Sequence, residues 1–254
     1  MKQGDKLGRG RMKKGVYLLP NLFTSANLFF GFYSIILSIR GSFAQASFFV
    51  LISIVLDSLD GRIARMTNSM SKFGTEYDSL SDLVAFGVAP AVMVYLWSLS
   101  HYGKWGVVAS FLFVLCGALR LARFNIQIGI VESKVFNGLA IPAAAAVVVT
   151  GILLYDYLVG KGSFPHVLIP VAVVVLSFLM VSNVKYYSFK DLNYFARKPF
   201  MSFFLIVIVL LIIVAEPQIM VFIFALTYCL SGPVWMLFRI LRRYLDSRMQ
   251  ASKP

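Results

Sequence analysis

Long apolar runs set the terms for this sequence. Ala46–Leu56 reads ASFFVLISIVL, and Met201–Ala215 reads MSFFLIVIVLLIIVA, with no charge in either. About 20 apolar residues in a helix cross a bilayer, and in lipid a helix satisfies its own backbone hydrogen bonds. Runs of this kind recur along the chain and predict an all-α, polytopic integral membrane bundle. The expected limits of its eight helices are 20–39, 43–66, 75–99, 105–124, 138–159, 164–183, 200–215 and 217–238. A basic tail over 1–16 precedes a single membrane domain over 17–254, with a catalytic core at about 20–183 and two additional helices at about 200–238. The first run follows a basic head and leads straight into the rest of the protein, so no cleavable signal peptide is expected.

The composition matches this reading: 59% of the residues are hydrophobic and only 14% charged. A net charge of +13 raises nucleic acid as a partner. The basic residues instead cluster at the ends of apolar runs, where they fix topology and meet anionic headgroups, so no nucleic acid is expected. With the N-terminus inside, all of the 24 Lys and Arg except Arg40, Lys104 and Lys161 fall on the inner side. Both termini are therefore expected in the cytoplasm. Cys116 and Cys229 lie inside apolar runs and offer neither a disulfide framework nor zinc spacing.

Against this background DSLDGRIARMTNSMSKFGTEYDSLSD, residues 57–82, is anomalous. It brings together Asp57, Asp60, Asp78 and Asp82, three of them beside apolar runs, where carboxylates are expensive and mark a site. Asp57 and Asp60 are three apart and Asp78 and Asp82 four apart, so each pair shares a helical face. A short cytoplasmic turn can bring the faces together. Four converging carboxylates repel unless cations neutralise them, and oxygen-only ligation suits Mg²⁺ or Mn²⁺, with room for two. Neither His101 nor His166 is near, which argues against zinc. Gly61, Ala64 and Gly74 leave space for a ligand or a close helix crossing, while Arg62 and Arg65 supply charge for a phosphate or an Asp. The alternative, helix caps and snorkelling surface charges, suits one or two aspartates better than four.

The pattern Asp57-x-x-Asp60-Gly61-x-x-Ala64-Arg65, then Gly74-x-x-x-Asp78-x-x-x-Asp82 after eight residues, resembles the signature of the CDP-alcohol phosphatidyltransferases, with every fixed position met. These membrane enzymes move a phosphatidyl group from CDP-diacylglycerol to an alcohol and release CMP. The resemblance implies that Asp57, Asp60 and Asp78 bind two divalent cations, with Asp82 a further ligand or the general base. It implies that Gly61, Ala64 and Gly74 line the nucleotide pocket, with Arg65 beside it, and it suggests a homodimer.

PNLFTSANLFFGF at 20–32, GALRLARFN at 117–125 and FNGLAIPAAAA at 136–146 resemble the phosphatidylserine synthase branch, in which the acceptor is L-serine. There Thr24 and Asn27 border the CDP end of the site, and Arg120 and Arg123 lie near phosphate or serine. From the residues alone, Thr24 and Asn27 serve equally well as hydrogen-bonding groups within a helix, and Arg120 and Arg123 as topology anchors. Asn137 with Gly138 either gates the acceptor pocket or turns the chain. The expected location is the cytoplasmic membrane of a prokaryote, with the site facing the cytoplasm. Other acceptors (glycerol 3-phosphate, inositol phosphate or choline) keep the same chemistry. A cation-coupled transporter is the reading from a different class, though no internal repeat supports it.

Overall fold

The computed structural model describes residues 4–66, 71–127, 135–160, 162, 166–187, 204 and 216–251. Helix α1 runs from Gly4 to Ile39, α2 from Phe43 to Met66 and α3 from Lys72 to Asp82. A π-helical stretch, Leu83–Val88, carries α3 without a break into α4, Ala89–Trp97. A short 3-10 turn at Leu99–Tyr102 leads to α5, Lys104–Gln127. Next come strand β1 (Val135–Asn137), α6 (Ile141–Leu158), α7 (Leu168–Val181), strand β2 (Lys185–Tyr187) and α8 (Pro217–Ala251).

Six of these segments are long and apolar enough to cross a membrane: Pro20–Ile39, Phe43–Ile63, Lys72–Trp97, Lys104–Ile126, Ile141–Leu158 and Pro217–Arg239. Among the described residues these account for six of the eight expected spans. Expected helix 164–183 is the apolar but short α7, and 200–215 lies almost wholly outside the described residues. Helix α1 is continuous from Gly4 through Pro20, so most of the basic stretch and the first span share one helix. The fifth helix begins at Ile141 rather than 138. Gly138 has φ +82°, which favours glycine, and Ala140 is still extended, so Pro142 enters in the first turn, where its missing N–H is harmless.

The small antiparallel β1–β2 pair was not anticipated. Val135 faces Tyr187, Phe136 faces Tyr186 and Asn137 faces Lys185. It joins two connections that lie about fifty residues apart in the sequence and pins the segment before α6 to the one after α7.

The core lies where α1, α2, α4, α5 and α6 meet. Phe86, Met93, Leu99, Phe113, Ile141 and Ile152 are fully buried there. Phe29, Phe48, Trp105, Phe111, Leu119 and Val175 point outward, as expected where hydrocarbon replaces water as the surrounding solvent. Glycine sets the closest approach: a Cβ on Gly31 of α1 would lie 2.6 Å from the Ala85 Cα, in the π-helical stretch. At the end of the bundle away from the aspartates, Gly41–Gln45, Trp97, Asp156 and Gly162 surround a cavity of about 220 Å³. There the Trp97 indole donates to the Gly162 carbonyl at 2.8 Å.

Candidate metal centre

Asp57 and Asp60 lie near the C-terminal end of α2, and Asp78 and Asp82 lie in α3. Ser71 immediately precedes α3. The Ser71 hydroxyl caps α3 by accepting from the Gly74 N–H at 2.9 Å. That cap starts α3 six residues before Asp78 and fixes which way its acidic face points.

The two faces do converge. One carboxylate oxygen from each of Asp57, Asp60 and Asp78 lies within 4.8 Å of the others. Asp60 is 4% exposed, and Asp82 is 8% exposed one turn beyond Asp78. Asp82 also lies within electrostatic reach of the other three. Among the described residues, Asp78 Oδ1 is buried and lacks a hydrogen-bond partner. A cluster of hard oxygen donors that is buried, mutually repelling and incompletely hydrogen-bonded fits a divalent cation.

Helix α1 supplies the third wall. The Thr24 hydroxyl lies 3.1 Å from both Asp60 Oδ2 and the Pro20 carbonyl, so its one proton is shared between them. The Asn27 amide donates to Asp82 Oδ1 at 3.2 Å, and Asn27 has no exposed surface. Its Oδ1 is buried without a partner among the described residues. Two serines set the height of α1 against the acidic helices. Ser81 donates to the Thr24 carbonyl at 3.0 Å, and Ser53 donates to the Asn27 carbonyl at 3.2 Å. Thr24 and Asn27, three apart, therefore each face one carboxylate.

The small residues differ in their surroundings. A Cβ on Gly61 would meet nothing within 4 Å, so space is open beside the acidic cluster. A Cβ on Gly74 would meet Ser71 Oγ at 3.1 Å and Asn21 Oδ1 at 3.6 Å, where α1 approaches α3. Ala64 and Arg65 belong to α2, with side chains outside the described set.

The two arginines of α5 part company. Arg123 donates through Nη1 to the Val181 carbonyl at 2.9 Å and through Nη2 to the Asn137 carbonyl at 2.8 Å. The Met180 and Ser182 carbonyls lie 3.3 Å from the same Nη2. Its guanidinium thus clamps the end of α7 to β1. Gly138 makes room for it, since a Cβ there would meet Arg123 Nη2 at 2.6 Å. Asn137 is exposed, and its carbonyl is the group that meets Arg123. Arg120 lies within electrostatic reach of Asp82 and Asp57, and its Nε is buried without a partner among the described residues.

The sequence profile of the CDP-alcohol phosphatidyltransferases matches residues 17–179. The chain belongs to this family. A CDP-diacylglycerol–serine O-phosphatidyltransferase of Helicobacter pylori strain 26695 is 40% identical over 239 residues, covering 93% of this chain and 98% of the relative. An archaetidylserine synthase of Methanothermobacter thermautotrophicus is 38% identical over 170 residues, 66% of this chain and 69% of that protein. The serine O-phosphatidyltransferase of Bacillus subtilis is 34% identical over 174 residues, 68% of this chain and 91% of that protein.

Several residues that build the site drew no attention in the sequence: Asn21, Ser53, Ser71 and Ser81. Ser71 carries a legible signal, a Ser three residues before Gly74 at a helix start. Ser53 and Ser81 carry none, because their acceptors are backbone carbonyls on another helix.

Proposed function

We propose that this protein is a CDP-diacylglycerol–serine O-phosphatidyltransferase, which moves the phosphatidyl group of CDP-diacylglycerol onto L-serine and releases CMP. The observation that carries this reading is the near end-to-end match to the Helicobacter pylori enzyme. The acidic cluster supplies chemistry that fits it. Asp57, Asp60 and Asp78 would hold divalent cations, with Asp82 a fourth ligand or the base. Two Mg²⁺ or Mn²⁺ ions there would supply positive charge against the pyrophosphate and the leaving CMP.

The chain's own groups divide the remaining work. Asn27 occupies Asp82 Oδ1, which leaves Asp82 Oδ2 to take the proton from the serine hydroxyl. The serine oxygen then bonds to the phosphorus that carries diacylglycerol. The bond from that phosphorus to the bridging oxygen breaks, and its electron pair leaves with CMP. Thr24 orients Asp60, while Gly61, Ala64, Arg65 and Gly74 form the CDP side of the pocket. Arg120 faces the serine carboxylate or a phosphate. For Arg123 and Asn137 the hydrogen bonds support holding the acceptor side in shape rather than meeting serine directly.

Membrane placement follows from charge. The positive-inside count supports eight spans with both termini and the acidic end of the bundle in the cytoplasm of a prokaryotic cell, where CDP-diacylglycerol heads and serine meet. Residues 1–16 then form a basic cytoplasmic extension of a single membrane domain over 17–254. A homodimer is part of the same reading, on the strength of the family likeness, and cross-linking in membranes checks it.

The deciding experiment is an acceptor panel on purified protein, with and without divalent metal. L-serine is expected to drive metal-dependent CMP release and to yield phosphatidylserine. Release driven by glycerol 3-phosphate, inositol phosphate or choline would move the protein to another branch. No metal-dependent release with any alcohol would return the aspartates to an ion-coupling role.

A further inference from the structure

The cavity of about 220 Å³ at the other end of the bundle has no part in the chemistry described so far. The turn between α1 and α2 and the ends of α4 and α6 bound it, through Ser42, Gln45, Trp97, Ile152, Asp156 and Gly162. Phe43 opens α2 here, and Asp57 lies about 21 Å further along that helix at about 1.5 Å per residue, so the cavity is no extension of the acidic site. Candidate spans begin or end around it. Pro20–Ile39 and Phe43–Ile63 meet at the turn, Lys72–Trp97 stops at Trp97, and Ile141–Leu158 stops just past Asp156. The ends of spans mark the depth at which lipid headgroups meet water.

The lining gives the cavity a sign. Among the described residues Asp156 is the only ionisable group in its walls. The half-buried carboxylate makes no hydrogen bond or ion pair with another described residue. The nearest natural donor, the Trp97 indole N–H, is already committed to the Gly162 carbonyl at 2.8 Å. The Trp97 ring is 4% exposed and meets Tyr155 edge-on, with centroids 5.3 Å apart, so this wall is set before anything enters. Ser42 and Gln45 add a hydroxyl and an amide to the same lining, while Ile152 and Trp97 supply apolar surface. A carboxylate at headgroup depth, with further oxygen acceptors beside it, matches a cation that carries several N–H donors. A primary ammonium has three of them.

We propose that this cavity is a binding site for a primary ammonium group, with Asp156 as its counter-ion. The ammonium donates to Asp156 and to the Ser42 and Gln45 oxygens, and its methylene carbons rest on Trp97 and Ile152. A diacyl lipid with an ethanolamine headgroup is the source that the depth of the cavity favours, and a free amine offers the same chemistry. The site stands apart from the serine reading, and neither requires the other.

The test titrates purified full-length protein in detergent with phosphatidylethanolamine or phosphatidylcholine of the same acyl chains, and counts bound lipid by native mass spectrometry. Phosphatidylethanolamine is expected to bind about tenfold tighter, because the quaternary ammonium of phosphatidylcholine has no N–H to donate. In Asp156→Asn that preference is expected to fall to within about twofold, with Tm unchanged. Ala44→Leu, which fills part of the cavity and keeps the carboxylate, should lose the preference as well and carries the test if the first variant fails to fold. Free ethanolamine at millimolar concentration separates the sources. Lipid that resists it gives the site to the headgroup, lipid displaced by it gives the site to a soluble amine, and both uphold the ammonium site. Equal affinity of the wild-type protein for the two lipids would overturn the proposal, as would a preference that survives both substitutions.

Discussion

Thr24 and Asn27 show how single polar groups inside a membrane bundle acquire large effects. Each is buried and faces one carboxylate of the cluster. Neighbours that orient metal ligands typically change affinity or activity by about 10–100-fold when removed. Thr24→Val keeps the shape and deletes the donor to Asp60. It is expected to raise the metal concentration for half-maximal CMP release by about that factor. Asp82→Asn tests a different role: turnover is expected to fall by about 10²–10⁴ while CDP-diacylglycerol binding persists. Binding by equilibrium dialysis alongside CMP release separates the two, and full turnover by the variant would remove Asp82 as the base. The four aspartates were legible in the sequence because acids in an apolar chain stand out at once. The Asn27–Asp82 and Thr24–Asp60 bonds were not, since 55 and 36 residues separate the partners and nothing local in α1 marks which face meets α2 or α3.

At the scale of helices, two glycines separate packing from ligand space. Gly31→Ala would force a methyl group to within 2.6 Å of the Ala85 Cα, and backbone cannot yield as a flexible side chain does. A destabilisation of about 1–3 kcal/mol is expected, seen as a lowered Tm in detergent. Gly61→Ala meets nothing within 4 Å, so its Tm should hold. If Gly61 borders the CDP pocket, KM for CDP-diacylglycerol should nonetheless rise severalfold, and the pair of measurements tells the cases apart. Arg123→Met loses its donors to the α7 and β1 carbonyls and is expected to be destabilised by about 1.5–3 kcal/mol. A variant with wild-type Tm but a raised serine KM would give Arg123 a place at the acceptor instead. Apolar length made most helices legible, because span length is dictated by the bilayer. The β1–β2 pair escaped notice because three-residue strands leave no periodic signal. The Arg123 clamp escaped because its acceptors are backbone carbonyls, which any residue offers.

For the whole molecule, the architecture divides its two ends by chemistry. The acidic cluster, its α1 wall and the Arg123 clamp occupy one end. The other end holds the Gly41–Gln45 turn, Trp97 and Asp156 around their own cavity. The proposed orientation has the first end facing the cytoplasm, and a labelling experiment tests this directly. Cys116 and Cys229 are both buried free thiols, so replacing them with Ala gives a background with no intrinsic reactivity. Ser100, exposed in the 3-10 turn, and Lys72, exposed at the start of α3, then serve as reporters when each is replaced by Cys. Ser100→Cys is expected to react with a membrane-impermeant maleimide in intact cells. Lys72→Cys should react only after permeabilisation, and CDP-diacylglycerol with Mg²⁺ should then slow it, because α3 carries Asp78 and Asp82 only six and ten residues further on. The reverse pattern would put the acidic site outside the cell, away from cytoplasmic serine, and would leave the positive-inside assignment and the proposed reaction without common ground.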